Sequence, residues 1–181
     1  MRPHPILLAV PPQPTDHMLG PLHARVTLIE YGDFESMACK AAAPMPKLLM
    51  DQHPNKIRFI FRHFPGETAH AHALLAAEAA EAAAAQGKFW QMHDLLFGHQ
   101  AHLGAKDLHT YAAEIGLDMV RYAAEMDDHI YLQKVREQID GARRSHIHSV
   151  PAFFIAGLHQ DTLAGMQRLH ATVVEAVIRA G

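Results

Sequence analysis

The spacing of apolar positions changes period along the chain, and the change divides it. Val26-Thr27-Leu28-Ile29-Glu30-Tyr31 is a short β-branched run that predicts a buried strand, broken by Gly32-Asp33-Phe34-Glu35-Ser36. Ser36 suits a helix N-cap. Residues 37–51 have helical content, and Pro44 and Pro46 inside them predict a kink. Ile57 to Phe61 reads as a second strand, and the order strand, helix, strand favours parallel pairing through a crossover.

After Pro65-Gly66 the period becomes helical. An Ala-rich helix is predicted over residues 68–86, ending at Gly87. Residues 88–97 then set Phe89, Met92 and Leu96 on one face before Gly98. Three further stripes follow: Leu108, Tyr111, Ala112, Ile115; Met119, Tyr122, Ala123, Met126; and Leu132, Val135, Ile139, Ala142. Ala152 to Ile155 reads as a strand with Gly157 as a hairpin turn. A last helix over residues 162–179 turns Leu163, Met166, Val173, Val174 and Val177 inward. The predicted class is α/β, a central β-sheet flanked by helices. Its sheet domain comprises residues 25–65 and 147–181, interrupted by an all-helical insertion over residues 66–146 and preceded by a proline-rich arm over residues 1–24.

Composition narrows the chemistry. A chain of 181 residues, 49% hydrophobic and 19% charged, can bury a sizeable core without disulfides. Sixteen Lys and Arg against 19 Asp and Glu leave no basic footprint for nucleic acid or anionic lipid, so neither is an expected partner. No stretch approaches the ~20 apolar residues of a spanning helix. Ile6 to Val10 is hemmed in by prolines and too short for a secretory signal, and a lone thiol suits a reducing compartment, so a cytoplasmic location is expected. The single cysteine, Cys39, excludes an internal disulfide and any zinc site built on two cysteines.

Four segments recur in one order: Glu30-Tyr31-Gly32-Asp33-Phe34-Glu35 leading into Ser36-Met37-Ala38-Cys39, Phe61-Arg62-His63-Phe64-Pro65, Gln86-Gly87-Lys88-Phe89-Trp90, and Val150-Pro151-Ala152-Phe153-Phe154. Together they resemble the DsbA-like branch of the thioredoxin superfamily, across residues 16–178. The resemblance implies a thioredoxin fold with a helical insertion and a cis-proline at Pro151. It also implies a Cys-x-x-Cys motif at the start of a helix, whose first thiolate attacks a disulfide and whose second resolves the product. Here Ser36 stands at the first position. A hydroxyl cannot form the sulfur–sulfur bond that exchange requires, so ordinary dithiol turnover is excluded.

What the motif retains is read in three ways. In the first, Ser36, Cys39, Met37, Ala38, Val150 and Pro151 form a groove that binds a thiol-containing small molecule or a peptide, with no cofactor required. In the second, Ser36 donates to glutathione sulfur, as the serine does in kappa-class glutathione transferases and chromene-carboxylate isomerases, which the architecture also resembles. In the third, Cys39 acts as a monothiol with cellular glutathione. The plainer roles are Ser36 as an N-cap and Cys39 as a small buried residue. Asp33 and Glu35 either raise a thiol pKa by like charge or serve the turn. Arg62 and His63 are expected to make structural hydrogen bonds, and Phe89, Trp90 and Met92 to pack in a core. Of the 16 histidines, His70 and His72 diverge if helical, while His146 and His148 share a face of an extended segment near Pro151, where His148 could share a proton or metal with Cys39. Single solvation or hydrogen bonding accounts for such residues more simply, and no metal is expected.

Overall fold

The structure, a computed structural model, describes residues 6–66, 68–160 and 166–180. Strands β1 (His17–Leu19), β2 (Val26–Gly32), β3 (Ile57–His63), β4 (Ala152–Ile155) and β5 (Leu158–Gln160) form one mixed sheet in the order β1-β3-β2-β4-β5. β3 lies beside β2 in the sheet, the adjacency that strand–helix–strand order favours. β2 is buried at every position but Thr27, which is why its sequence shows no strict alternation of apolar and polar positions. It pairs antiparallel with β4, Leu28 opposite Ile155 and Tyr31 opposite Ala152. A two-residue turn closes the β4–β5 hairpin; both Ala156 (φ 50°) and Gly157 (φ 78°) take positive φ, the conformation that matches strand twist.

The described residues fall into two compact units. One draws on residues 1–32, 41–62 and 141–181, the other on residues 33–40 and 63–140. In the sheet unit, helices α2 (Pro44–Gln52) and α8 (Met166–Arg179) pack on each other and α8 on β2, burying Leu49, Leu169, Val173 and Val177. The arm is not free of structure: β1 lies within it and pairs antiparallel with β3, His17 opposite Phe61. Gly20 follows at φ 87°, where an added Cβ would sit 2.5 Å from the Ile57 carbonyl, so no other residue fits that turn.

Arg62 holds the arm down. It is 2% exposed, and each of its five N–H donors has an acceptor. Nε and Nη2 form a fork on the Asp16 carboxylate at 2.8 and 2.7 Å. Nη1 donates to the Val10 carbonyl and the Tyr31 hydroxyl, and Nη2 also to the Pro11 carbonyl. The expected structural role is thus specific: one guanidinium ties three segments of chain.

The helical unit contains α3 (Ala73–Ala84), α4 (Phe89–Gly98), α5 (Ala105–Glu114), α6 (Met119–Asp127) and the start of α7 (Leu132–Arg144). Helix α3 packs against α4, α5 and α6, which its alanines permit by allowing close approach. Its two buried acids are matched: Glu78 with His129, and Glu81 with His63 at 3.0 Å and Lys134 at 2.6 Å.

Two helices differ from the pattern-based expectation, and a third is described only in part. The kinked helix of residues 37–51 is two helices, α1 (Met37–Ala42) and α2, because Pro44 has no N–H to continue the ladder and opens a new helix instead. The Ala-rich helix starts at Ala73, not at residue 68, since the Gly66 carbonyl accepts from the N–H groups of Ala69 and His70 and holds a turn there. The last helix is described from Met166; its expected first residues, with Leu163, lie outside the described residues.

Candidate functional site

Residues 33–40 form the tight entry to α1, and one buried carboxylate shapes it. Asp33 Oδ1 accepts from the Glu35 N–H at 2.7 Å, while Oδ2 accepts from the Gly66 N–H at 2.7 Å and meets His70 Nδ1 at 2.6 Å. Of the two roles open to Asp33, the turn role is the one its side chain is built for. Glu35 Oε2 accepts from the His72 N–H at 2.7 Å, and Oε1 stands 3.0 Å from His72 Nδ1. His70 and His72 therefore lie in the turn before α3, each against a carboxylate, and do not diverge along a helix.

Ser36 caps α1: its Oγ accepts from the Cys39 N–H at 3.3 Å, the N-cap to N3 bond. It is 7% exposed. Cys39 is 0% exposed, and the Asp33 N–H lies 3.5 Å from its sulfur. Met37 and Ala38, between them, face solvent, Met37 at 75%. A thiol at position 39 is thus covered, and the surface the motif presents is the thioether and methyl of its two middle residues. Helix α1 is only six residues long, so the macrodipole that a fifteen-residue helix would lend the motif is cut to that of less than two turns.

Phe34 anchors the segment from inside. Its ring meets Phe97 at 5.0 Å and His63 and His93 at 5.8 Å, within a cluster that continues to Phe89 and Trp90. Phe89 and Met92 are core residues, as expected. Sequence reasoning missed Gln100, which is 8% exposed and donates from Nε2 to the carbonyls of Phe34 and Ser36, both at 2.8 Å. A lone glutamine beyond α4 carries no periodic signal, since its partners lie more than sixty residues away.

In the sheet unit, the Val150–Pro151 bond is cis and both residues are half-buried just ahead of β4. His146 and His148 are exposed on either side of buried Ile147, and His146 sits at φ 53°, so the segment is not a regular extended one. Glu30 on β2 is 1% exposed, its Oε1 has no hydrogen-bond partner, and burial pushes its carboxyl from 4.5 up to about 8. The folded chain keeps a proton that the unfolded chain releases above its lower pKa, so stability falls as pH rises towards 8. Wild type is expected to lose about 2 kcal/mol between roughly pH 5.5 and 7 through this group. Glu30→Gln is expected to flatten that slope; equal slopes in urea melts of the two proteins would contradict the assignment.

Comparison with known proteins gives a consistent fold and one unexpected set of relatives. The family described as Thioredoxin matches residues 12–174. Among solved structures, oxidised BdbD from Bacillus subtilis superposes with a TM-score of 0.78 at 19% identity, covering 88% of this chain and 91% of the other. A thioredoxin-like oxidoreductase from Silicibacter pomeroyi gives 0.76 at 24% identity, covering 93% of each. In sequence, the Na(+)/H(+) antiporter NhaA 1 of Salinispora arenicola is 41% identical over 93% of this chain. The chain spans about a quarter of the length of such antiporter relatives, 26% for that one. Among the described residues no helix is long and apolar enough to cross a membrane.

Proposed function

We propose, from the premise that the chain belongs to the thioredoxin family, that it is a DsbA-like module without dithiol exchange that binds thiols or extended peptides beside the motif. One observation carries this reading. The position of the attacking thiol holds Ser36, whose oxygen is used as a helix cap, while the remaining sulfur of Cys39 is 0% exposed. A disulfide cannot form within a chain of one cysteine, and a covered thiol does not attack one outside it. The exposed Met37 and Ala38 then offer an apolar contact surface and no electron transfer.

The test is native-state alkylation of Cys39 together with titration of glutathione and of an extended apolar peptide. Cys39 is expected to stay unmodified until denaturant unfolds the chain, and the peptide to shift resonances of residues 36–39. Rapid labelling in the native state would overturn the reading in favour of monothiol chemistry at Cys39. The glutathione reading rests on the Ser36 hydroxyl hydrogen, which a cap-accepting oxygen still has to donate. It requires glutathione affinity that Ser36→Ala abolishes. The 41% identity to an antiporter-named protein favours a further version, in which the module's peptide partner is a segment of an ion antiporter. Extramembrane antiporter peptides in the same titration should then bind more tightly than the generic one.

A further inference from the structure

Met37 opens α1 and is 75% exposed, the one exposed methionine among the described residues. Met92, in the core of the helical unit, is 0% exposed, and the other described methionines are half-buried. Cys39, two residues beyond Met37, is 0% exposed as well. Oxidation of sulfur by peroxides follows access and, for cysteine, thiolate character. The covered thiol lacks the first. A thioether has no proton to lose, so access alone governs its reaction. The usual order of the two sulfurs, thiol before thioether, is therefore reversed within this motif.

We infer that Met37, and not Cys39, is the sulfur of the motif that a hydroperoxide oxidises, and that the resulting sulfoxide lowers the affinity of the motif for a peptide. The second half rests on the peptide-binding reading above. The step balances with hydrogen peroxide as oxidant. A lone pair of the Met37 sulfur attacks one peroxide oxygen, so the S–O bond forms as the O–O bond breaks. The proton of the transferred hydroxyl passes to the leaving oxygen, which departs as water. Sulfur loses two electrons and peroxide gains them. A methionine sulfoxide reductase supplied with a dithiol reverses the change, releasing the oxygen as water and leaving the dithiol as a disulfide.

The consequence is local. Met37 and Ala38 are the groups the motif presents to solvent, and a sulfoxide makes the larger of them polar. A partner that covers it must then desolvate the new oxygen. The fold is untouched, because the Met37 side chain fills no core position. The same oxidation at Met92 would place that oxygen in the packed interior.

The test treats the full chain with limiting hydrogen peroxide and maps the gain of one oxygen at each sulfur by mass, with helicity followed by circular dichroism. Met37 is expected to react at least tenfold faster than Met92, with Cys39 unoxidised and helicity unchanged. Titration with the extended apolar peptide should then show affinity about tenfold weaker, the scale of one methionine's apolar contact. Sulfoxide reductase with dithiothreitol should restore it. Met37→Leu, which has no sulfur at 37, should show the same affinity before and after peroxide. Oxidation of Cys39 ahead of Met37, or of Met92 as fast as Met37, would overturn the site. Peptide affinity unchanged in mapped, Met37-oxidised protein would overturn its effect on binding. Absence of peptide binding before any oxidation would instead sink the peptide-binding reading, and that effect with it.

Discussion

Arg62→Ala is expected to destabilise the protein by about 3–5 kcal/mol, the cost of breaking a buried ion pair from one side. The magnitude follows from what is left behind. The substitution takes the guanidinium from the Asp16 carboxylate, whose side chain is only 5% exposed, and from the carbonyls of Val10 and Pro11, all of which now accept from it. Because a domain of this size is stable by only about 5–15 kcal/mol, the variant sits close to unfolding at 37 °C. Arg62→Lys tests the geometry apart from the charge. Lysine keeps the charge but brings three donors on a point, not five on a planar fork, so it should recover only part of the loss. Urea melts of the three proteins decide the matter. If Arg62→Ala lies within about 0.5 kcal/mol of wild type, the surface-residue range, the hub has no energetic weight.

The second large effect is a gain. Ser36→Cys should give a protein that glutathione disulfide oxidises to an intramolecular 36–39 disulfide, seen as a loss of two hydrogens by mass, and that then catalyses insulin reduction by dithiothreitol. Wild type should do neither. The argument is positional: residue 36 is the N-cap of α1 and residue 39 is N3, the spacing of the family's exchange motif, and the side chain at 36 already reaches the backbone N–H of residue 39. A sulfur in place of that oxygen would accept the same N–H, which favours the thiolate. Ser36→Cys combined with Cys39→Ala separates the steps. It should form a mixed disulfide with glutathione and stop there, since the resolving thiol is gone. A folded Ser36→Cys protein that stays reduced under glutathione disulfide would mean that the motif is not laid out for exchange, and the family assignment would then speak to fold alone.

Local chemistry made much of this legible in advance. The β-branched run at residues 26–31, the glycine that closes the β4–β5 hairpin, and the cap at Ser36 depend on neighbours within a few residues, and each is where the pattern placed it. The exact helix starts were less legible. A proline inside a helical pattern can kink it or restart it, and at Pro44 the second outcome holds. The polar residues were harder still. His70 and His72 read as helical because alanines surround them, yet the turn that keeps them out of α3 depends on carboxylates 37 residues earlier in the chain.

By itself, then, the amino-acid order determined most of the strands and helices, though not β1 or the restart at Pro44, the membership of one family of folds, and the absence of a second thiol, because propensity, capping and composition act within a turn or two of the backbone. Only tertiary structure decided that Arg62 is a hub, that Gln100 clamps the motif, and that residues 33–40 pack with the helical unit through Phe34. Those roles belong to polar and aromatic groups whose partners are tens of residues distant, and a buried donor or acceptor has no identity until folding brings its partner within about 3 Å.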